Sequence, residues 1–251
     1  MFSFFSKKKA VPAPVRIPDF SFLECDMHSH LVPGIDDGSQ TLEDSVHFIE
    51  RLSRLGFKKF ITTPHIHGEL YDNDTKKVQQ ELQPLKDHLQ QQLPELHIQA
   101  SAEYFLDTYF LEHVLPGGLM PFGQNHVLVE VSMAGWPRNF NEMIFAVQAS
   151  GYKPILAHPE RYQYETGLEV YSKLREKGVM LQLNLLSLSG YYGKAVQDMA
   201  FVLLEGQFYD FCGTDLHHER HMRKIEDMLR NQNELVERLY NYGFRNKELY
   251  N

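Results

Sequence analysis

Six apolar runs in this chain stop at side chains able to ligate a metal. LECDMHSH ends on His28 and His30, KKFITTPH on His65, and IQASAE on Glu103. HVLVEV carries Glu130, KPILAHPERY carries His158, and YDFCGTDLH ends on Asp215 and His217. One histidine at a strand end carries little information. Imidazoles and carboxylates at six strand ends form a donor set suited to divalent metals. Such ends converge at one mouth when parallel strands form a ring, whose carboxyl ends build the site. The pattern reads as a metal-dependent hydrolase. His28-x-His30 sends both imidazoles to one side, since alternate strand residues share a face. Asp36 and Asp37 lie in the glycine-bounded loop PGIDDG, a turn that could lend one carboxylate.

The elements that must position these residues alternate between strand and helix patterns. Strands are predicted over 20–26, 58–63, 97–102, 127–131, 154–157, 179–183 and 208–213. Helices are predicted over 41–55, 74–92, 139–150, 168–177 and 194–205, with a terminal helix over 221–242. Gly56, Gly151, Gly178 and Gly206 stand where four of them should end. This alternation implies an α/β fold with a parallel sheet. Ligands at six strand ends favour closure, because an open sheet would spread them too widely. Residues 104–125 show no clear helix, which points to a distorted barrel.

At 251 residues the chain suits one large α/β domain. Residues 1–19 are expected to be a flexible tail, with Pro12, Pro14 and Pro18 blocking regular structure, and 20–251 a single domain. The tail places Phe2, Phe4 and Phe5 before Lys7, Lys8 and Lys9, the reverse of a secretory signal. It could make a weak membrane or partner contact. No run of about 18 apolar residues reads as a membrane span. The net charge of −8 argues against a general nucleic-acid binder. Two cysteines far apart, Cys25 and Cys212, form no disulfide framework and read as buried strand residues. The expected compartment is the cytoplasm.

In this order, DMHSHLVPGIDDG, TPH, AHPERY and TDLH resemble the polymerase-and-histidinol-phosphatase (PHP) superfamily. The closest likeness is to its bacterial protein-tyrosine phosphatases encoded with capsule and exopolysaccharide genes, the CpsB/CapC-like group. The resemblance implies a distorted (β/α)7 TIM-like barrel with up to three divalent metals. It implies that His28, His30, Glu103 and Asp215 hold one metal. Glu103 would bridge to a second, completed by Glu130 and His158. Asp37, His65 and His217 would hold the third. Asp36 and Asp26 would be supporting or turn residues. Manganese is expected first, with iron or zinc as alternatives for this donor set. The implied activity is hydrolysis of phosphotyrosine, with a bacterial tyrosine kinase of polysaccharide synthesis as the partner.

The chemistry is coherent with that class. Three divalent cations against the four carboxylates Asp37, Glu103, Glu130 and Asp215 leave two positive charges, which matches a phosphomonoester dianion. Bound metals would lower the pKa of a water toward neutrality, so no serine or cysteine nucleophile is needed. Arg161, three residues past His158, could donate a fork to phosphate, and Arg220 or Arg223 could supply a second cation. His217 could serve as a proton donor. Trp136, Tyr104 and Tyr162 follow ligand motifs and could wall a pocket, as ordinary packing could also explain. His67, His218 and His221 lie near the motifs. The alternatives are a small-molecule phosphomonoesterase, such as a histidinol-phosphate phosphatase, and a metal-holding partner protein without turnover.

Overall fold

The computed structural model describes residues 16–250. The tail expected over 1–19 falls mostly outside them; Ile17 is already buried against the core. Nine short strands are seen among these residues: β1 (Cys25–Asp26), β2 (Lys59–Thr62), β3 (His65–Ile66), β4 (His97–Ala100), β5 (Glu103–Phe105), β6 (His126–Glu130), β7 (Lys153–Ala157), β8 (Met180–Asn184) and β9 (Phe211–Gly213). They make two sheets, a three-stranded one ordered β1-β2-β4 and a six-stranded one ordered β3-β5-β6-β7-β8-β9. Every pairing between these strands is parallel. The α/β class with parallel sheets is as the alternating pattern predicts.

The two sheets run into one another. Only Thr63 and Pro64 separate β2 from β3, and only Ser101 and Ala102 separate β4 from β5. Backbone bonds continue across these breaks, from Ser101 N–H to the Thr62 carbonyl (2.9 Å) and from Glu103 N–H to the Pro64 carbonyl (3.1 Å). On the far side, Asp215 N–H donates to the His28 carbonyl at 2.7 Å and His30 N–H to the Leu216 carbonyl at 2.9 Å. Ser29 and Leu216 form a parallel bridge there. Side chains stitch the same seam. Asp26 accepts from the Thr214 N–H and hydroxyl, at 2.9 and 2.7 Å. Asn246 donates to the Cys25 and Cys212 carbonyls and accepts from the Cys212 N–H.

Helices flank the strands and are built by local rules. In α1 (Leu42–Arg54), Thr41 and Asp44 form a reciprocal capping box, which satisfies two otherwise unpaired N–H groups. Its buried residues Ser45, Phe48, Ile49 and Leu52 recur at helical spacing. In α2 (Thr75–Gln92), Asp74 caps through the Lys77 N–H, and Val78, Leu82, Leu85 and Leu89 face inward. Next come α3 (Phe140–Ala149), α4 (Leu168–Glu176), the short α5 (Leu185–Leu188) and α6 (Lys194–Glu205). The single terminal helix predicted over 221–242 is instead two, α7 (Glu219–Asn231) and α8 (Asn233–Tyr242), broken at Gln232. The strand predicted over 20–26 shrinks to Cys25–Asp26, behind a 3-10 turn at Ser21–Leu23. The irregular stretch 104–125 holds β5, a π-helical turn at Phe110–Val114 and a 3-10 turn at Leu115–Gly117. No helix among the described residues is long and apolar enough to cross a membrane.

A second, smaller apolar cluster positions the site. It joins Cys25 from β1, Ile61 from β2, Leu128 from β6, Ile155 and Ala157 from β7, and Phe211 from β9, all buried. Leu128 and Glu130 are two apart on one strand and so share a face. The apolar layer is therefore the floor beneath the ligands.

Candidate metal centre

The strand ends bring His28, His30, Glu103 and Asp215 together, all buried, with one ligand atom from each within 4.8 Å of the others. A second group is His65, Glu103 and Glu130, and a third is His30, Asp37, His65 and His217. His158 joins through its Nε2, 2.9 Å from Glu103 Oε1 and 4.0 Å from Glu130 Oε2. All nine sequence-derived ligand candidates therefore lie in one cluster. His65 stands between groups, with Nδ1 3.2 Å from Glu130 Oε1 and Nε2 3.6 Å from Asp37 Oδ1.

The His28 Nδ1–H donates to Gln182 Oε1 at 3.0 Å, and the His30 Nδ1–H to Asp36 Oδ2 at 2.8 Å. These bonds set both tautomers and leave the two Nε2 atoms, each with a free lone pair, 3.3 Å apart. Each Nε2 also faces Glu103 Oε2 and Asp215 Oδ1, at 3.2 Å for His28 and 3.5 Å for His30. Glu103 Oε2 is buried without a hydrogen-bond partner. Two lone pairs and two carboxylate oxygens thus converge on one point, and a cation satisfies all four. The residues fit a divalent metal, and the mix of imidazole and carboxylate suits manganese, iron or zinc.

The electrostatics agree. Burial alone would lower the His28 pKa, but the Glu103 and Asp215 carboxylates raise it to about 9. In the metal-free protein a proton takes the place of the cation. Burial would raise Asp215, yet His28 and His217 hold it well below the usual carboxylate range. His217 is pushed down to about 4 by burial and by His30. Its Nδ1–H donates to the Asp215 carbonyl at 2.9 Å, so its neutral Nε2 suits lone-pair donation rather than proton donation.

The backbone contributes strain and clearance. His158 and Asp215 sit at φ +33° and +50°, left-handed conformations that cost about 1–3 kcal/mol each and cluster at functional sites. A Cβ on Gly213 would stand 2.6 Å from the His28 Cβ, and one on Gly38 would collide with His30. Both inner histidines therefore need a glycine beside them.

Above this cluster lies a cavity of about 540 Å³. Arg161 lines it, with Nη1 donating to Asp215 Oδ2 at 2.9 Å. Arg220 does not line it; this exposed side chain lies over the Tyr191 ring, 5.7 Å from the centroid. Arg223 is tied to Glu219 on the surface. Trp136, Tyr104 and Tyr162 do not wall the cavity. Tyr104 and Tyr162 are buried in the core, their hydroxyls accepting from the Met120 and Val131 N–H groups, and Trp136 packs on Phe140 and Tyr162. The aromatic wall is Tyr191 and Tyr192, with His218 and His221 beside them. Both tyrosines escaped the sequence reading. Their signal was SGYYG, where Gly190 and Gly193 at φ +76° and +93° bracket the pair. Asn184 and Gln182 of β8 were also missed, because amides within an apolar run carry no ligand signature.

Comparisons with known proteins place the chain among tyrosine-phosphatase relatives. The chain is 27% identical over 194 residues to the tyrosine-protein phosphatase YwqE of Bacillus subtilis (strain 168), covering 76% of each chain. It is 25% identical over 199 residues to the tyrosine-protein phosphatase CpsB of Streptococcus agalactiae, covering 76% of this chain and 82% of that one. Among solved structures, it superimposes with a TM-score of 0.71 at 24% identity on one described as YwqE from Bacillus subtilis and CpsB from Streptococcus pneumoniae, unique metal-dependent tyrosine phosphatases. That match covers 88% of this chain and 95% of the other. Residues 24–248 match the family model for capsular polysaccharide synthesis, CpsB/CapC, and the chain belongs to that family.

Proposed function

We propose that this protein is a metal-dependent protein-tyrosine phosphatase acting in capsule or exopolysaccharide synthesis. The observation that carries the reading is the convergence of the His28 and His30 lone pairs with the Glu103 and Asp215 oxygens, in a family whose relatives bear that activity in their names. The site would hold up to three divalent ions, manganese first. Glu103 would contribute to two of the ligand groups, since its two oxygens face His28 and His158 separately. The two sheets are read as one distorted barrel of seven β/α units. Counting β2–β3 and β4–β5 each as one interrupted strand gives seven, and the Ser29–Leu216 bridge joins the last to the first.

Bound divalent cations would supply positive charge to the phosphoryl oxygens and a nucleophilic water at neutral pH. The chain's own residues then bind and orient. Asp215 Oδ2 accepts from Asn184 Nδ2 and Arg161 Nη1, which leaves Oδ1 for the cluster and fixes the guanidinium at the cavity wall. Arg161 can offer its remaining N–H groups to a phosphoryl oxygen. Tyrosinate leaves readily, its pKa being about 10, so no stored proton is required of His217.

The outer ligands favour a protein substrate. The Asp37 side chain is 56% exposed, and those of His65 and His217 are partly exposed. A phosphate at the tip of a long tyrosine side chain can reach them without a lid. The reading includes a bacterial tyrosine kinase as the phosphorylated partner. It also includes a cytoplasmic setting, in keeping with two buried free cysteines.

The test is hydrolysis of a phosphotyrosine peptide and of histidinol phosphate by the full chain, with manganese and with chelator. Chelator-sensitive turnover that favours the peptide is expected. Preference for histidinol phosphate would replace the protein substrate with a small one, and turnover of neither would reject the phosphatase.

A further inference from the structure

We propose that Tyr192 is a positioning residue for the substrate phosphate and acts through Arg161. The proposal deepens the phosphatase reading and rests on it. Tyr192 lies in the turn between α5 and α6, and its ring lines the cavity. The Arg161 guanidinium carbon stands 4.5 Å from the centre of that ring. The Tyr192 hydroxyl accepts from Asn184 Nδ2 at 3.2 Å. The same nitrogen donates to Asp215 Oδ2 at 2.6 Å, and that oxygen accepts from Arg161 Nη1 at 2.9 Å. The contacts close a circuit through Tyr192, Asn184, Asp215 and Arg161.

This circuit holds the guanidinium on two sides, at one edge by a carboxylate and on one face by an aromatic ring. Among the described residues, Nη1 is the one side-chain nitrogen of Arg161 that makes a hydrogen bond. Its Nε and Nη2 are free to meet an anion. An arginine held at one nitrogen alone still samples rotamers and must be ordered when phosphate arrives. A ring beneath the fork removes part of that cost beforehand. The electrostatic attraction of the cation to the ring face is strongest where water is excluded, and Arg161 is three-quarters buried. Tyr191 does not share this role, since its cation, Arg220, is exposed and outside the cavity. The ring face does the positioning, and the hydroxyl only aligns Asn184.

The experiment is a double-mutant cycle on the metal-loaded full chain. Its readouts are the affinity for inorganic phosphate by calorimetry and the KM and kcat for a phosphotyrosine peptide. Tyr192→Leu should weaken phosphate binding on the order of tenfold. It should raise KM by a similar factor and change kcat by less than about twofold. Tyr192→Phe, which keeps the ring, should stay within about twofold of the parent in phosphate affinity. In an Arg161→Ala background, Tyr192→Leu should add less than about twofold, because the partner it positions is gone. Equal losses in both backgrounds, or a Tyr192→Phe loss as large as that of Tyr192→Leu, would overturn the proposal. If the leucine variant does not fold, Tyr192→Met supplies the same cycle with a flexible apolar chain. Phosphate binding does not require turnover, so a parent that binds phosphate but hydrolyses nothing would reject the phosphatase reading while the cycle still decides on Tyr192.

Discussion

Asp36 belongs to no group of candidate ligands, yet it decides where His30 can point. Its Oδ2 accepts from the His30 Nδ1–H at 2.8 Å and from the His65 backbone N–H at 3.1 Å, and its Oδ1 from the Gly38 N–H. One buried carboxylate therefore ties two ligand-bearing segments together, while Asp37, the next residue, faces the solvent side of the cluster. Partners of this kind fix the ring and raise its basicity, and their loss typically costs 10–100-fold in metal affinity. Asp36→Asn should lower manganese affinity by about that factor without removing a ligand, as measured by metal content after dialysis against graded manganese. Occupancy equal to the parent's would show that Asp36 only shapes the turn. At this scale much of the site was legible. Histidines and acids at strand ends carry their chemistry in their names, and the nine candidates meet in one cluster. The choice between Asp36 and Asp37 was open from the residues alone, because adjacent acids in a turn differ only in direction. Tyr192, Asn184 and Gln182 were invisible because their work is to hold other side chains.

Elements that obey local chemistry were equally legible, and those set by distant contacts were not. The capping box at Thr41 and the helical spacing in α1 and α2 are written within a few residues. The stretch Phe20–Asp26 alternates like a strand, but the Phe20 N–H is taken by the Leu55 carbonyl, and Glu24 adopts φ +61°. A tertiary contact overrides the pattern there. The terminal helix breaks where Asn231, Gln232 and Asn233 follow one another, and asparagine is a weak helix former. The β1–β9 seam is the extreme case, since Asn246 reaches Cys25 across 221 positions. Asn246 is fully buried and makes three backbone hydrogen bonds, at 2.6, 2.8 and 2.9 Å. Truncation would strand buried polar groups, each costing about 1–3 kcal/mol. Asn246→Ala should therefore lower unfolding free energy by roughly 2–4 kcal/mol, seen as a reduced urea midpoint with the slope unchanged. A loss under about 0.5 kcal/mol, the range of ordinary surface changes, would mean that the seam closes without it.

For the whole molecule, metal occupancy and stability are one question, because ions that bind only the native state stabilise it. At a hundredfold excess over Kd the gain is about 2.7 kcal/mol. The pH dependence of the two forms should then run in opposite directions. In the metal-free protein His28 is raised from 6.5 to about 9, and His30 and His65 shift the same way. A folded-state pKa above the unfolded one contributes stability that is fully present below about pH 6.5 and is lost as pH rises through about 9. Glu103 and Asp215 are held low and stay ionised across that window, so they add no opposing slope. His217 and His221, pushed down to about 4 and about 3, stay neutral in the folded protein; against an unfolded value of 6.5 they add a rising slope only near the acid end of that window, too small to reverse the fall. With chelator present, the Tm should therefore fall between pH 6.5 and 9. With manganese present it should hold or rise, because each bound ion must displace a proton from these ligands and does so more easily as pH climbs. The gap between the two curves should widen steadily with pH in a thermal-unfolding series. Parallel curves would mean that the histidines do not exchange a proton for a metal, and would remove the inner group as the metal centre.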